Sequence, residues 1–276
     1  MPEAGLSVER IDWAARTYPE ITELGGVDGS VLVVPVGSVE QHGPHMPVAT
    51  DIILAEAIAR GGAKKAAERD VPVLLLPPVW SGTSQHHLHW GGTLTVEVAT
   101  MLTVLEEVAA SALQNDFDAI LFLNGHGGNA PVVNAAVKTV GTAHPDVEVL
   151  ATTYYYLAEP IAEELRESEY GGMSHAGEFE TSLMLHIEPA LVREEEYAVD
   201  YREEPKGGYD RAFHDFFSHG PLSVYRAEDA REGPGTTGDP TLASSSKGEA
   251  IYEFLVDELA ALLGEISESN AAKNRS

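Results

Sequence analysis

The sequence predicts an α/β protein in which helices cover both faces of a mostly parallel sheet, within a single domain. Two observations support this prediction. Four short runs rich in Val, Ile and Leu alternate with longer segments whose apolar residues recur at helical spacing. The chain has 276 residues, 43% of them hydrophobic, with no internal repeat, which fits one large domain.

The strands and helices follow from these patterns in chain order. The predicted strands cover residues 31–36, 73–77, 119–123 and 147–152. The predicted helices cover residues 51–69, 96–113, 130–140 and 248–263. Pro131 lies in the first turn of the third of these helices, where a missing N–H costs nothing.

Residues 200–245 interrupt the alternation of strands and helices. They contain one Gly-Gly pair, two Gly-Pro pairs and the aromatic residues Phe213, Phe216 and Phe217. We interpret them as an irregular excursion packed on the same domain, and as a candidate subunit contact. The domain is therefore expected to span residues 1–266, followed by a loose polar tail at 267–276.

The charge balance excludes several classes of partner. Seventeen basic and 44 acidic residues give a net charge of −27, so neither nucleic acid nor an anionic membrane surface is an expected partner. Salt shortens the Debye length from about 10 Å at 0.1 M to about 3 Å at 1 M and so relieves self-repulsion. We therefore expect adaptation to a salty cytoplasm, resembling halophilic archaeal proteins. The alternative is an ordinary acidic protein.

Two absences shape the remaining expectations. The sequence has no cysteine, which excludes disulfides, thiolate zinc sites and a cysteine nucleophile. It also shows neither a signal-peptide pattern at Met1 nor an apolar run of about 20 residues that could span a bilayer. A cytoplasmic protein is expected.

Histidines are concentrated where the chemistry is expected. Seven of the eleven lie in four short segments, at residues 37–51, 81–93, 124–129 and 174–182. The first three segments directly follow predicted strands. Because the carboxyl ends of parallel strands meet at one edge of a sheet, these three segments are expected to converge.

The converging side chains form a set of metal ligands. Glu40 and His42 lie two residues apart in an extended loop and can face a common side. Asp51 begins the next helix, and His126 follows another strand. Carboxylates and imidazoles without thiols suit Zn²⁺, Mn²⁺ or Fe²⁺. One carboxylate can bridge two such ions about 3.5–4 Å apart.

Each segment also has a simpler interpretation. Glu40 and His42 could lie in a solvated loop, and Asp51 could be a helix N-cap. Residues 124–129 could form a turn or a glycine loop that cradles phosphate at a helix N-terminus. The histidines at 86, 87 and 89 could be surface residues, and the glutamates at 178 and 180 could lie on a solvated helix face.

Four blocks resemble the motifs of the creatininase (creatinine amidohydrolase) family. Three of them are the signature blocks Val36-Gly-Ser-Val-Glu-Gln-His-Gly-Pro-His-Met-Pro-Val-Ala-Thr-Asp51, Asn124-Gly-His-Gly-Gly-Asn129 and His175-Ala-Gly-Glu-Phe-Glu-Thr-Ser182. The fourth, Gly238-Asp-Pro-Thr-Leu-Ala-Ser-Ser-Ser-Lys-Gly248, is similar to the family's C-terminal motif. The similarity extends over residues 30–260.

The resemblance implies a fold, a cofactor and an activity. Family members have a three-layer α/β/α fold, are often hexamers, and hydrolyse amide C–N bonds with two divalent metal ions per chain. Carried over to matching positions, Glu40 and His126 would hold one metal ion, His42 would hold the second, and Asp51 would bridge both. The chain is therefore expected to be a homo-oligomeric amidohydrolase that acts on a small-molecule amide.

Two departures from the family pattern bear on the substrate. Members that hydrolyse creatinine carry a glutamate ligand where this chain has Gly128, and we take Glu178 as its candidate replacement. They also carry tryptophans near the last histidine block, where this chain has residues 171–174, Gly-Gly-Met-Ser. Creatinine is therefore a doubtful substrate. The family's formamide hydrolases, which act on a ribosylaminopyrimidine phosphate, and its cofactor-precursor peptidases fit at least as well.

The expected reaction is hydrolysis of a non-peptide C–N amide bond by metal-bound hydroxide. The resemblance implies that His175 carries the proton to the leaving nitrogen, and an imidazole pKa near 6.5 suits both halves of that transfer. Glu180 would orient His175 or pack structurally, and we favour the structural role. The residues expected to bind substrate are His86, His87, Trp90, Gly127 and Gly128.

Three other functions stay open. A cofactor-precursor peptidase is the alternative within the family. A serine hydrolase is disfavoured because the chain has no Gly-x-Ser-x-Gly elbow. A metal- or nucleotide-binding protein that has lost turnover would keep the same ligands.

Overall fold

A four-stranded parallel sheet forms the centre of the computed structural model, which describes residues 11–201, 208–212, 214–218, 220–224 and 233–274. The strands are β1 (Val31–Val36), β2 (Val73–Leu75), β3 (Ala119–Asn124) and β4 (Glu148–Thr153). They are ordered β2-β1-β3-β4, with Val31 of β1 opposite Val73 of β2 and Ala119 of β3. All four predicted strands are present.

Eight α-helices lie within the described ranges. They are α1 (Tyr18–Gly25), α2 (Thr50–Ala67), α3 (Val98–Ala112), α4 (Ala130–Ala143), α5 (Tyr154–Leu157), α6 (Glu159–Leu165), α7 (Glu178–Ile187) and α8 (Ser245–Asn274). Helices α2, α3, α4 and α8 correspond to the four predicted from apolar spacing. None of the helices in the described ranges is both long and apolar enough to cross a membrane.

The helices form a layer on each face of the sheet. Alternate strand residues such as Val31 and Val33 point into a core shared with α2, α7 and α8. The intervening residues, such as Leu32 and Val34, point into a second core with α1, α3 and α4. The three-layer, mostly parallel single-domain fold is confirmed.

Strand β1 lies between β2, which follows it in the chain, and β3. The crossovers therefore leave β1 and β3 in opposite directions, and a crevice opens between their carboxyl ends. The loop after β1 and the turn after β3 both begin at this crevice, which is where the predicted ligands lie.

The C-terminal segment corrects an expectation. Residues 267–274 continue α8 as a regular helix, so this part of the predicted loose tail is ordered. Asn270 is buried, and its side-chain amide donates to Glu148 at 2.8 Å and to the Ile266 carbonyl at 2.8 Å. The polar composition of this segment reflects polar contacts with β4.

Part of the irregular excursion packs on the domain core. Phe216 stacks on Tyr155 with ring centroids 4.4 Å apart, and Phe217 lies edge-on to Phe179 at 5.1 Å. Both residues are buried. Phe213 and residues 202–207, 219 and 225–232 lie outside the described part of the chain.

Candidate dinuclear metal site

The candidate site lies at the crevice between β1 and β3. Glu40 and His42 come from the loop after β1, where Gly43 adopts a φ of +63° and a bridge joins His42 to Met46. Asp51 lies in the first turn of α2, and His126 directly follows β3. His175 precedes α7, and Glu180 lies in the first turn of that helix.

The structure brings these side chains within ligand distance of one another. Nε2 of His42 lies 3.1 Å from Oδ1 of Asp51 and 3.9 Å from Oε2 of Glu180. Nδ1 of His126 lies 3.2 Å from Oε1 of Glu40 and 3.3 Å from Oδ2 of Asp51. The two carboxylate oxygens of Asp51 therefore face different imidazoles.

Buried oxygen atoms without hydrogen bonds support metal binding at this cluster. Glu40 and Asp51 are nearly completely buried, yet both carboxylate oxygens of Glu40 and Oδ2 of Asp51 lack a hydrogen-bond partner of good geometry. Buried polar atoms are normally satisfied, and an unpaired buried carboxylate is costly. A bound cation would satisfy all three oxygens, so these residues fit a metal.

The surroundings also orient the ligand nitrogens. In neutral His42, Nδ1–H can donate to the Glu40 carbonyl at 3.2 Å, which leaves the lone pair of Nε2 for the cluster. In neutral His126, Nε2–H can donate to Oγ of Ser84 at 3.1 Å, which leaves Nδ1 free. In these neutral forms each histidine presents a lone pair to the carboxylates, which is the form that binds a metal ion.

The charges of the cluster shift several pKa values. Burial alone would lower the pKa of His42, but the charges of Asp51, Glu180 and Glu40 outweigh it and raise that pKa to about 10. Although burial would raise the pKa of the Asp51 carboxyl, His42 and His126 hold it below its ordinary value. Burial and the charge of Asp51 raise the pKa of Glu180 to about 7. Glu40 and Asp51 likewise raise the pKa of His126 above its ordinary value, although burial would lower it. Without a metal ion, protonated His42 and His126 balance the carboxylates, so a cation that binds here must displace protons.

Glu178 is not brought to this cluster. Its carboxylate accepts hydrogen bonds from the backbone N–H groups of Glu167 at 3.0 Å and Ser168 at 2.9 Å, and it forms a buried ion pair with Lys247. Within the described residues it belongs to no group of donors that could share a metal ion. The expectation that Glu178 replaces the ligand missing at Gly128 is therefore wrong, because its oxygens are already bound.

Glu180 reaches the cluster at the place where Glu178 was expected to supply a metal ligand. Its Oε2 accepts the backbone N–H of Ala176 at 2.7 Å and faces His42, and the two residues group with His175 as potential metal ligands. Two residues apart on a helix, Glu178 and Glu180 point about 200° apart around its axis. The sequence shows both glutamates, but only the direction of the first turn of α7 decides which one reaches the cluster.

The glycine at position 128 is required by the local packing. A Cβ atom on Gly128 would collide with Nε2 of His126 and with the Thr83 carbonyl. Gly127 and Gly128 begin a short turn, and Asn129 ties that turn to the neighbouring loops by donating to the Gly37 carbonyl at 2.9 Å and accepting from Thr83 N–H at 2.9 Å. A glutamate ligand at position 128 is therefore incompatible with this arrangement.

The predicted substrate-binding histidines lie beside the ligands. His87 is buried, with Nε2 3.6 Å from Oε1 of Glu40, and His86 lies against it with ring centroids 4.1 Å apart. Trp90 lies at the rim, where Nε1 donates to the Gly233 carbonyl at 3.2 Å. All three side chains belong to the short 3-10 helix Gln85–Trp90.

His175 lies against the same carboxylate. Its Nδ1 is 3.6 Å from Oε1 of Glu40, and its ring lies 4.4 Å from that of His42. Burial and the nearby His42 hold its pKa well below the ordinary value, so the ring is neutral at pH 7. A neutral imidazole can accept a proton at this position.

Comparison with known proteins agrees with this geometry. The family model described as "Creatininase: Creatinine amidohydrolase" matches residues 14–263. The chain belongs to the creatininase family. It is 31% identical over 263 residues to the mycofactocin precursor peptide peptidase of Mycobacterium tuberculosis (strain CDC 1551 / Oshkosh), covering 88% of this chain and 91% of the relative.

Two further creatininase-family comparisons bear on the metal site. The creatinine amidohydrolase of Pseudomonas putida is 28% identical over 259 residues, which cover 88% of this chain and 92% of that protein. A solved structure described as "Creatininase Mn" superposes with a TM-score of 0.76 at 26% identity, covering 92% of this chain and 98% of the other. The family binds divalent metal ions, and the grouped side chains of this member fit that role.

Proposed function

We propose that this creatininase-family amidohydrolase works with two divalent metal ions, either zinc, manganese or iron. Glu40 and His126 would hold the first ion, and His42 and Glu180 the second, with Asp51 between them. The observation that supports this proposal is the position of Asp51, with one oxygen 3.1 Å from His42 and the other 3.3 Å from His126. A carboxylate shared in this way is typical of dinuclear hydrolases.

When bound, the ions would polarise the substrate carbonyl and lower the pKa of the attacking water. His175 is placed to accept the proton of that water at Nδ1, because Nε2–H already donates to the Gln41 carbonyl at 2.8 Å. The same ring can then release the proton to the leaving nitrogen as the C–N bond breaks. His86 and Trp90, whose rings lie against His87, would contact the substrate.

The first substrate class to test is a short peptide. The 31% identity to a peptide peptidase supports this choice over the non-peptide amide that the sequence predicts. The similarity to a creatinine amidohydrolase supports a cyclic or formyl C–N amide as the second candidate. The motif comparison implies that creatinine-hydrolysing members carry a glutamate ligand at the position of Gly128. This site differs from theirs, because a side chain at Gly128 would collide with His126.

Salt adaptation and oligomer formation are further parts of the proposal. The net charge of −27 supports adaptation to high salt, because screening relieves self-repulsion. The exposed large apolar side chains Trp80, Leu88 and Leu94, which lie in the same loop segment as His86 and His87, support burial of this surface in a homo-oligomer.

Elemental analysis of protein purified in high salt and loaded with Zn²⁺ or Mn²⁺ tests the proposed site. We expect about two ions per chain in the wild type and fewer than about one in Asp51→Asn. Asp146→Asn, a change at an exposed acidic residue, serves as the control and should keep both ions. The loaded proteins are then assayed with short peptides, formylaminopyrimidine nucleotides and creatinine. A folded wild type that binds no metal would overturn the proposal.

A further inference from the structure

Gln41 lies between the two proposed ligands Glu40 and His42 in the chain, and its side chain is buried. The orientation of its amide is determined by two contacts. Oε1 accepts the backbone N–H of Gly43 at 2.9 Å, and Nε2 donates to the Gly235 carbonyl at 2.9 Å. The reversed amide would oppose donor to donor and acceptor to acceptor at both contacts.

The second N–H of this amide points at His87. Nε2 of Gln41 lies 2.7 Å from Nδ1 of His87, so Nδ1 must be the unprotonated acceptor. The neutral ring therefore carries its proton on Nε2, the nitrogen that lies 3.6 Å from Oε1 of Glu40. His87 presents a hydrogen-bond donor to the cluster.

The backbone of the same glutamine sets the opposite tautomer in His175. The Gln41 carbonyl lies 2.8 Å from Nε2 of His175 and accepts its proton, which leaves Nδ1 unprotonated. The Gln41 amide nitrogen also lies 3.1 Å from that Nε2, but both of its protons are used by Gly235 and His87. The rings of His87 and His175 stack with centroids 4.4 Å apart, so a donor and an acceptor lie side by side.

We infer that Gln41 is a positioning residue that sets these opposite tautomers, and that Nε2–H of His87 donates to the substrate carbonyl oxygen. This inference rests on the proposed amide hydrolysis. As the water oxygen bonds to the carbonyl carbon, the C=O π pair moves to the carbonyl oxygen, which His87 stabilises. His175 accepts the water's proton at Nδ1. The electron pair on the oxygen then re-forms the C=O bond, the C–N bonding pair leaves on nitrogen, and His175 delivers the proton to that nitrogen, giving a carboxylic acid and an amine.

The same contacts exclude His87 as a metal ligand, although it lies within ligand distance of Glu40 and His175. If Nε2 of His87 bound a metal ion, the proton of the neutral ring would have to lie on Nδ1. That proton would then face the N–H of Gln41 across 2.7 Å. The donor role and the ligand role therefore predict different tautomers and different metal contents.

Nuclear magnetic resonance can read the tautomers without any substrate. Long-range ¹⁵N–¹H correlation spectra of the metal-free and zinc-loaded protein should show His87 with its proton on Nε2. In Gln41→Glu, the carboxylate accepts but does not donate, so the His87 proton should move to Nδ1. A wild-type His87 with its proton on Nδ1 would overturn the inference.

Two variants at position 87 test the donor. His87→Gln keeps an amide N–H near the former Nε2, whereas His87→Leu removes the donor and keeps an apolar side chain. Both should retain the zinc content of the wild type. On the best amide of the panel, His87→Leu should lower kcat about 10²- to 10³-fold with little change in KM, and His87→Gln should recover part of that loss.

These results distinguish a failure of the inference from a failure of the proposed function. Loss of a zinc ion in His87→Leu, or equal turnover in His87→Leu and the wild type, would overturn the donor role while leaving amide hydrolysis intact. If the wild type hydrolyses no amide, the proposed function fails, and with it the carbonyl donor role. The tautomer spectra and the zinc content still test the positioning role of Gln41.

Discussion

Glu178 and Glu180 lie two residues apart on one helix, and changing each to glutamine is expected to affect a different property of the protein. Glu178 is completely buried, forms an ion pair with Lys247 and accepts two backbone N–H groups. Glu180 faces His42 and the cluster. We therefore expect Glu178→Gln to reduce stability and keep the metal ions, and Glu180→Gln to lose one ion with little loss of stability.

The size of the stability effect follows from the contacts of Lys247. Removing one partner of a buried ion pair costs about 3–5 kcal/mol, because the other charge is left uncompensated. Here Glu167, whose carboxylate lies 3.0 Å from Nζ of Lys247, still offers a negative charge, and the glutamine oxygen still accepts hydrogen bonds. The expected loss in Glu178→Gln is therefore near the lower end, about 3 kcal/mol.

Urea unfolding of metal-free protein in high salt measures the free energy of unfolding, and elemental analysis of zinc-loaded protein measures occupancy. The protein is unfolded without metal because a bound ion adds to the apparent stability, and a variant that binds less metal would otherwise look less stable. Lys247→Met should destabilise the chain in the same way as Glu178→Gln and also keep both ions. Loss of an ion in Glu178→Gln at unchanged stability would refute the structural role and restore Glu178 as a ligand.

Three other predictions concern the site and the whole chain. Gly128→Ala should lower zinc occupancy, because the added Cβ would displace His126. Gly141→Ala, where the added Cβ meets no close atom, should keep the wild-type zinc occupancy, and elemental analysis of both variants measures the difference. Zinc binding should release protons and strengthen as the pH rises from 6 to 9. The reason is that the acidic neighbours of His42 raise its pKa to about 10, so that zinc must displace a proton, and zinc titration in weak buffer measures the release. The melting temperature should rise from dilute buffer to molar KCl because salt screens a net charge of −27; an unchanged value would contradict salt adaptation.

The sheet and its main helices were predictable because each carries a strong periodic signal. β1 and β3 are continuous apolar runs buried on both faces, and α2 repeats apolar residues at helical spacing. Helix α7 was not among the predicted helices and was named only as a possible solvated helix face, because its residues 178–185 are all buried and show no amphipathic pattern. The extension of α8 through Asn270 was missed because its contacts are polar and come from β4.

The site was predictable where the chain topology alone brings residues together. Glu40, His42 and His126 follow strands β1 and β3, and parallel strands deliver their loops to one edge. Glu180 could not be chosen over Glu178, because that choice depends on which side of α7 faces the crevice. That direction depends on the ion pair between Glu178 and Lys247, which lies about 70 positions further along the sequence.

The C-terminal block of the family pattern acquires a physical role from these contacts. Lys247 holds Glu178 at the first turn of α7, and its ammonium also donates to the Leu242 carbonyl at 2.8 Å, within the same block. Gly248 lets α8 approach α7 closely, since a Cβ there would collide with the Ser182 carbonyl. Because α7 carries Glu180 and closely follows His175, the block at 238–248 helps to position the proposed ligand and the proposed proton carrier. Its resemblance to the family motif is therefore explained by positioning, and changes at Lys247 should affect stability before they affect metal content.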